Sequence, residues 1–315
     1  MKYDLMADQS FTHCLRLQIA PTSYSEERIL SCLSFCLKYE IKNVILMFNA
    51  EELFKGYLTK EELIPWVDVI KKAKKVLNDN DISVSLNPWI EIGHLDRGRK
   101  LKDGQKFTNM VDYFGNKTEL VSCPLDSNWQ NYYLDTLAFY IKEIAPEVLW
   151  IEDDFRLHNH APLMLGGCFC EHHMKLYEEK IGYKTNREEF VKNILKGPGK
   201  ERDAFLDVSW FTMDELAKKI NKVVKEVSPN TFIGLMSSAP SMHAIENRNW
   251  SKLHNDLCTN DTNIDRIHLP VYQEMVSPKI YLYNFNSIFS NISGMHTLEN
   301  LTLLALVTIL FFMSH

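Results

Sequence analysis

The sequence has no concentrated basic region. Its 35 lysine and arginine residues are outnumbered by 41 acidic residues, and the formal net charge is −6 at pH 7. A protein that binds the phosphate backbone of a nucleic acid needs a dense basic stripe, so this composition disfavours a nucleic-acid partner. The charge balance suits a neutral substrate better.

Long apolar runs are also missing. The first 19 residues contain no uninterrupted apolar stretch and no small-residue cleavage site, which argues against a signal peptide. The apolar stretch 301–313 has thirteen residues. A membrane-spanning helix needs about twenty. We therefore expect a cytoplasmic protein with no membrane partner, and a homo-oligomer is compatible with this expectation.

The seven cysteines are scattered along the chain and are not spaced as a disulfide framework. An odd number of cysteines without a secretion signal argues against such a framework. Their thiols are therefore available for other chemistry.

Apolar strands alternate with amphipathic helices along most of the chain, which predicts a parallel α/β architecture. No Gly-rich phosphate turn follows the first strand, so we expect no organic cofactor and favour a (β/α)8 TIM barrel over a doubly wound sheet. The predicted strands are 15–20, 43–48, 82–86, 148–151, 231–236 and 266–270. The predicted helices are 25–39, 61–77, 128–144, 172–181, 187–195, 208–227 and 250–258.

The predicted barrel is incomplete at the C-terminus, because strands 7 and 8 are not found. We assign 1–290 to a partial catalytic barrel and 291–315 to an apolar C-terminal helix or a truncation tail. Residues 89–122 show no sustained periodicity. Loops of this length within a compact domain are usually functional.

The predicted fourth strand, 148–151, runs directly into the carboxylates Glu152, Asp153 and Asp154. A buried parallel strand that delivers its last residues into a site has this pattern. Two carboxylates in one pocket can cleave a glycosidic bond, with one as proton donor and the other as nucleophile about 5 to 5.5 Å away in retaining enzymes. Neighbouring strand residues point to opposite faces, so Asp153 and Asp154 do not form this pair by themselves if both are still in strand geometry; the alternative is that the strand has already ended.

We predict that Asp154 is the acid/base and that Asp153 orients the substrate. The alternative is structural: the acids cap the next helix or pair with Arg156. Further substrate contacts are expected from residues that follow strand ends, namely Trp89, Glu91, Arg156, His158 and His160. Trp89 could stack on a sugar ring, or it could be a core tryptophan beneath the loop.

A second group of residues has metal-site spacing. Cys168, Cys170 and His173 place three soft ligands on one short segment, and Cys123 precedes the strand that carries the acids. Three thiolates and one imidazole suit a closed structural Zn²⁺ site, with His172 as an alternative fourth ligand. The competing interpretation makes Cys123 a small buried hydrophobe and both histidines surface residues.

These two groups together resemble glycoside hydrolase family 42, whose members are β-galactosidase-like (β/α)8 enzymes. The family carries an Asn–Glu pair at the end of strand 4. Many of its members have a zinc cluster of one cysteine before that strand and Cys-x-Cys-x-x-Cys after it. The resemblance implies that Asp154 occupies the acid/base position and Asp153 the sugar-contacting position. It also implies that the cluster corresponds to Cys123, Cys168, Cys170 and His173.

The sequence departs from the family pattern in three ways. Aspartate replaces the catalytic glutamate, and His173 replaces the last cysteine. No strand seven carrying a nucleophilic glutamate is evident, and Glu274 and Glu299 are the only late candidates.

The sequence therefore leads to three hypotheses. The first is a glycoside hydrolase that cleaves a β-galactoside-like substrate from the end of strand 4. The second is a metal-dependent hydrolase in which His158 and His160 with Asp153 or Asp154 bind a catalytic ion. The third is a truncated, non-catalytic carbohydrate-binding barrel.

Overall fold

The fold was analysed in a computed structural model, which describes residues 14–50, 53–89, 96–152, 155–157, 163–164, 166–237, 249–257, 264–267 and 302–303. The helices in these ranges are α1 (Ser25–Lys38), α2 (Lys60–Asn78), α3 (Ser127–Ile144), α4 (Glu171–Ile181), α5 (Arg187–Leu195), α6 (Lys200–Val227) and α7 (Trp250–Leu257). The strands are β1 (Cys14–Gln18), β2 (Asn43–Phe48), β3 (Ser83–Pro88), β4 (Asn109–Val111), β5 (Lys117–Ser122), β6 (Val148–Ile151), β7 (Phe232–Ser237), β8 (Ile264–Ile267) and β9 (Thr302–Leu303).

Seven strands form one parallel sheet in the order β1-β2-β3-β6-β7-β8-β9. Helices connect most successive strands of this sheet, as in a (β/α)8 barrel. The predicted α/β class and partial TIM barrel are therefore confirmed. In the part of the chain that the structure describes, no helix combines the length and apolar character needed to cross a bilayer.

The two faces of the sheet carry different residues because strand side chains alternate. Val44, Leu46 and Leu149 join the large core that includes α1, α2 and α3. The opposite face corresponds to the barrel interior, and its separate apolar cluster consists of Cys14, Ile45, Val148, Trp150 and Met236.

Trp150 fits inside the barrel because strand β7 has a glycine beside it. A Cβ atom on Gly234 would lie 2.5 Å from the Trp150 ring. The register pairs these two residues across β6 and β7. The Trp150 side chain therefore requires a glycine at position 234.

Specific hydrogen bonds mark the ends of two helices that cover the sheet. Thr59 and Glu62 form a reciprocal capping box at the start of α2. The Asp126 carboxylate accepts a hydrogen bond from the Trp129 N–H and begins α3. At the other end of α3, the Lys74 ammonium donates to the carbonyl oxygen of Ile144 at 2.8 Å.

Residues 89–122 contain a hairpin that the sequence analysis did not predict. Strands β4 and β5 pair antiparallel within this segment. The buried Asp96 carboxylate fixes the hairpin, since it accepts hydrogen bonds from the N–H groups of Glu119, Leu120 and Val121 at 2.7 to 3.0 Å. The strands are short and β4 has only 3 residues, so they left no detectable alternation.

The C-terminal segment supplies a further strand. Residues Thr302–Leu303 form β9 and pair in parallel with β8. This is a seventh strand of the sheet that the sequence analysis did not find, and the assignment of 291–315 as a helix or truncation tail stays a prediction. The rest of that segment lies outside the described residues, and the boundary at 290 stays a prediction.

Candidate functional site

Four side chains from separate parts of the chain meet beside the barrel. Cys123 directly follows strand β5, Cys168 and Cys170 precede helix α4, and His173 lies in its first turn. All four residues are buried, and their potential ligand atoms lie within 4.8 Å of one another. The predicted metal ligands are thus brought together.

The distances within this Cys/His cluster suit a tetrahedral ion. The Sγ atom of Cys123 lies 3.2 Å from Nδ1 of His173 and 3.4 Å from Sγ of Cys170. The Cys170 Sγ lies 3.6 Å from the same Nδ1. Sulfur ligands bound at about 2.3 Å in a tetrahedral zinc site lie about 3.8 Å apart. The donor set therefore fits zinc with small adjustments.

A threonine hydroxyl lies behind His173, on the side of the ring away from the thiols. The Thr212 hydroxyl donates to the Val208 carbonyl oxygen at 2.7 Å, so it faces Nε2 of His173, 3.5 Å away, with an acceptor lone pair. In the tautomer that carries its hydrogen on Nε2, His173 would donate to this oxygen and present the Nδ1 lone pair to the thiols. Metal-bound histidines are commonly oriented in this way.

His172 points elsewhere. Its Nε2 atom lies 3.1 Å from the Thr108 hydroxyl and 3.8 Å from the Asp126 carboxylate, and its side chain is 40% exposed. The geometry therefore offers His173, and not His172, as the nitrogen ligand.

The environment of the thiols also favours a cation. Burial raises the pKa of the Cys123 and Cys168 thiols. Hydrogen bonds shared with those two thiols lower the pKa of Cys170. A bound cation compensates the negative charge of buried thiolates and so allows all three sulfurs to ionise.

The cluster belongs to a wider connection between the hairpin and the loop after β6. The Phe169 N–H donates to the Val111 carbonyl oxygen at 2.8 Å. The Asp112 carboxylate accepts a hydrogen bond from the Met164 N–H at 3.0 Å. The loop that follows the acidic residues is thus fixed at several points.

A second polar group lies on the barrel-interior face near the C-terminal ends of the strands. The Arg16 guanidinium of β1 lies 2.5 Å from the Glu152 carboxylate, which directly follows β6. It also donates to Oδ1 of Asn87 on β3 at 2.6 and 3.0 Å. Sequence reasoning missed this Arg16–Asn87–Glu152 group. The available signal was a charged or amide residue inside an otherwise apolar strand.

The predicted substrate contacts are only partly within the described residues. Trp89 is 4% exposed and packs against Phe54, with the Arg97 guanidinium over its ring. Trp89 therefore packs in the core, as in the alternative interpretation, and its sugar-stacking role stays a prediction. Arg156 is also buried. The remaining predicted site residues lie outside the described residues: Glu91, Asp153, Asp154, His158 and His160.

The chain matches no protein-family profile and no curated protein sequence. Its structure is similar to the catalytic domain of a β-amylase from Paenibacillus polymyxa, with a TM-score of 0.58 and 11% identity, over 95% of this chain and 92% of that one. This similarity, together with the two that follow, shows a TIM-barrel fold. A β-galactosidase from Bacillus circulans sp. alkalophilus gives a TM-score of 0.55 and 11% identity, over 87% of this chain and 42% of that one.

A further similar structure is the β-galactosidase from the psychrophilic Marinomonas ef1, with a TM-score of 0.51 and 10% identity. The similarity covers 82% of the chain described here. This chain spans 40% of that protein and 42% of the Bacillus β-galactosidase. At these identities the likeness concerns the fold.

Proposed function

We propose that this chain is a glycoside hydrolase related to family 42. It cleaves a β-galactoside-like substrate by acid/base catalysis at the C-terminal end of strand β6. The observation that carries this proposal is the buried ion pair at that strand end, where Glu152 meets Arg16 inside a TIM barrel. Active sites of TIM barrels are built at the C-terminal ends of the strands.

The next two residues in the sequence, Asp153 and Asp154, supply the chemistry in this proposal. Asp154 protonates the glycosidic oxygen, and Asp153 holds a sugar hydroxyl. Glu91, Arg156, His158 and His160 complete the sugar contacts. The family resemblance supports these roles, and the similarity in fold to glycosidase structures is consistent with them.

We also propose that the Cys/His cluster holds a structural Zn²⁺ ion. Bound zinc supplies a closed tetrahedral cross-link. The four buried donors within 4.8 Å support this assignment. Cys123 then connects the hairpin to the segment of Cys168 and Cys170, and so stabilises the loop that follows the acidic residues.

The test is hydrolysis of a panel of aryl β-glycosides by the purified protein and by Asp154→Asn. General acid–base groups contribute about 10² to 10⁴-fold in rate, so we expect a loss in this range. Asp68→Asn is the matched control, because Asp68 is exposed on α2 and should leave turnover unchanged. An active wild type with unchanged Asp154→Asn turnover would remove Asp154 from the mechanism.

Mild chelation distinguishes the metal-dependent alternative. A glycosidase with buried structural zinc keeps its activity when a weak chelator is added. A hydrolase with an open catalytic ion on His158 and His160 loses activity at once and regains it when the metal is restored. A wild type that binds sugars without any turnover would favour the non-catalytic interpretation.

A further inference from the structure

The Arg16–Asn87–Glu152 group joins three strands of the sheet. Arg16 lies on β1, Asn87 on β3, and Glu152 at the end of β6, 136 positions from Arg16 in the sequence. The Arg16 and Glu152 side chains are 12% and 7% exposed. The ion pair is therefore largely withdrawn from solvent.

Stability alone does not account for a buried pair of this kind. Removing two charges from water is expensive, and well-packed apolar residues in the same place are often equally stable or more stable. Removing only one partner is costly, because the other charge stays buried without compensation. An ion pair inside the barrel is thus better explained by a requirement for a fixed geometry.

The contacts around Glu152 show what is fixed. The Asn87 side-chain amide donates to the Trp150 carbonyl oxygen at 3.1 Å, which holds the backbone near the end of β6. Arg16 holds the Glu152 carboxylate. The Phe155 N–H donates to the Glu152 carbonyl oxygen at 3.2 Å. The chain is therefore anchored to Glu152 on both sides of the Asp153–Asp154 dipeptide.

We propose that Arg16 is a positioning residue for the acidic end of strand β6. Through its ion pair with Glu152, it fixes the strand end that directly precedes Asp153 and Asp154 in the sequence. The inference rests on the proposed glycosidase function, and its own content is that turnover depends on Arg16.

The experiment compares kcat, KM and the thermal midpoint for the wild type, Arg16→Met and Arg16→Lys. A misplacement of about 1 Å at a reacting group can cost about 10²-fold in rate. We expect Arg16→Met to lower kcat by about this factor with a smaller change in KM. Arg16→Lys keeps the charge and should recover part of kcat.

The double variant Arg16→Met with Glu152→Gln separates positioning from stability. It removes the charges of both partners of the ion pair, so its thermal midpoint should lie above that of Arg16→Met. Its kcat should stay low, because the connection between β1 and β6 is still missing. A purely structural role would make kcat recover together with stability.

Lys252→Met is the matched control. Lys252 on α7 lies 2.7 Å from Asp214 on α6, and the Asp214 side chain is 6% exposed. Removing the Lys252 ammonium also takes an ion-pair partner from a buried carboxylate, that of Asp214, but this pair lies on the helices and not inside the barrel. We expect a lower thermal midpoint with unchanged kcat.

The outcomes separate this inference from the proposed function. An active wild type whose kcat is unchanged in Arg16→Met, or recovers in the double variant, overturns the inference and leaves the function standing. An inactive wild type overturns both. Should Arg16→Met fail to fold, Arg16→Lys and the double variant decide the question by the same criterion.

Discussion

The imidazole Nδ1 of His173 lies 3.2 Å from the Sγ of Cys123, although the two residues are 50 positions apart. Cys123 ends the β4–β5 hairpin, and His173 begins the helix that follows the loop after β6. A bond through a shared ion would therefore connect two loops at the C-terminal side of the barrel.

Replacing a thiol of the cluster should remove the metal. We expect Cys123→Ser and Cys170→Ser to lose zinc and to unfold at a lower temperature, because a structural zinc site contributes its binding free energy to folding. Elemental analysis of the purified proteins and thermal scans measure both effects. Cys36→Ala is the control, since Cys36 is buried on α1 outside the cluster and should leave the zinc content unchanged.

The hydroxyl of Thr212 should matter for metal affinity. Thr212→Val keeps the shape of the side chain but removes the acceptor that faces Nε2 of His173. Changes at such supporting groups cost about 10 to 100-fold in metal affinity. Competition with a chromogenic chelator measures this loss. Ser209→Ala, at another buried position on α6, should leave the affinity near that of the wild type.

Enlarging Gly234 should destabilise the barrel interior. The added methyl group of Gly234→Ala would lie 2.5 Å from the Trp150 ring. Overpacking of this kind costs about 1 to 3 kcal/mol. Urea unfolding measures the change. Trp150→Leu makes room for the methyl group of Gly234→Ala. The double variant should therefore lose less free energy of unfolding than the two single variants lose together. Full additivity would contradict a direct clash.

Tyr57 should make stability depend on alkaline pH. Burial raises the pKa of its hydroxyl to about 12, against the opposing effect of the hydrogen bond with Ser122. In the unfolded chain the tyrosine hydroxyl ionises near pH 10. The stabilisation that comes from its raised pKa in the folded state is therefore complete below pH 10 and is lost as the pH rises toward 12.

The Tyr57→Phe variant isolates this effect. At pH 8 it should be less stable than the wild type by about 1 kcal/mol, because the Ser122 N–H loses its acceptor. The difference should shrink as the pH approaches 11. Urea titrations at each pH measure it, and a constant difference would show that the hydroxyl does not titrate differently in the two states.

The sequence was most informative where apolar runs are continuous. Strands β2 and β6 have the predicted bounds of 43–48 and 148–151, and α3 begins one residue before its predicted start. Parallel strands covered on both faces need apolar side chains throughout, so their limits are visible in the sequence. Helix α6 begins at Lys200 rather than at 208, because its first two turns carry several exposed charged residues that hide the periodicity.

The Cys/His cluster could be predicted because three of its members lie within six residues and the side-chain types are rare. The Arg16–Asn87–Glu152 group could not be predicted from the sequence. Its members are distributed over three strands, and only the register of a parallel sheet brings them to one face.

By itself, the sequence determined the α/β class, the order of most strands and helices, and the identity of the soft ligands, since these follow from local periodicity and side-chain chemistry. Only the tertiary structure decided that His173 faces the thiols while His172 turns to Thr108, that Trp89 is enclosed in the core, and that Arg16 pairs with Glu152. The physical reason is that burial and pairing depend on which distant segments pack together, and a single sequence records those contacts only where they are local.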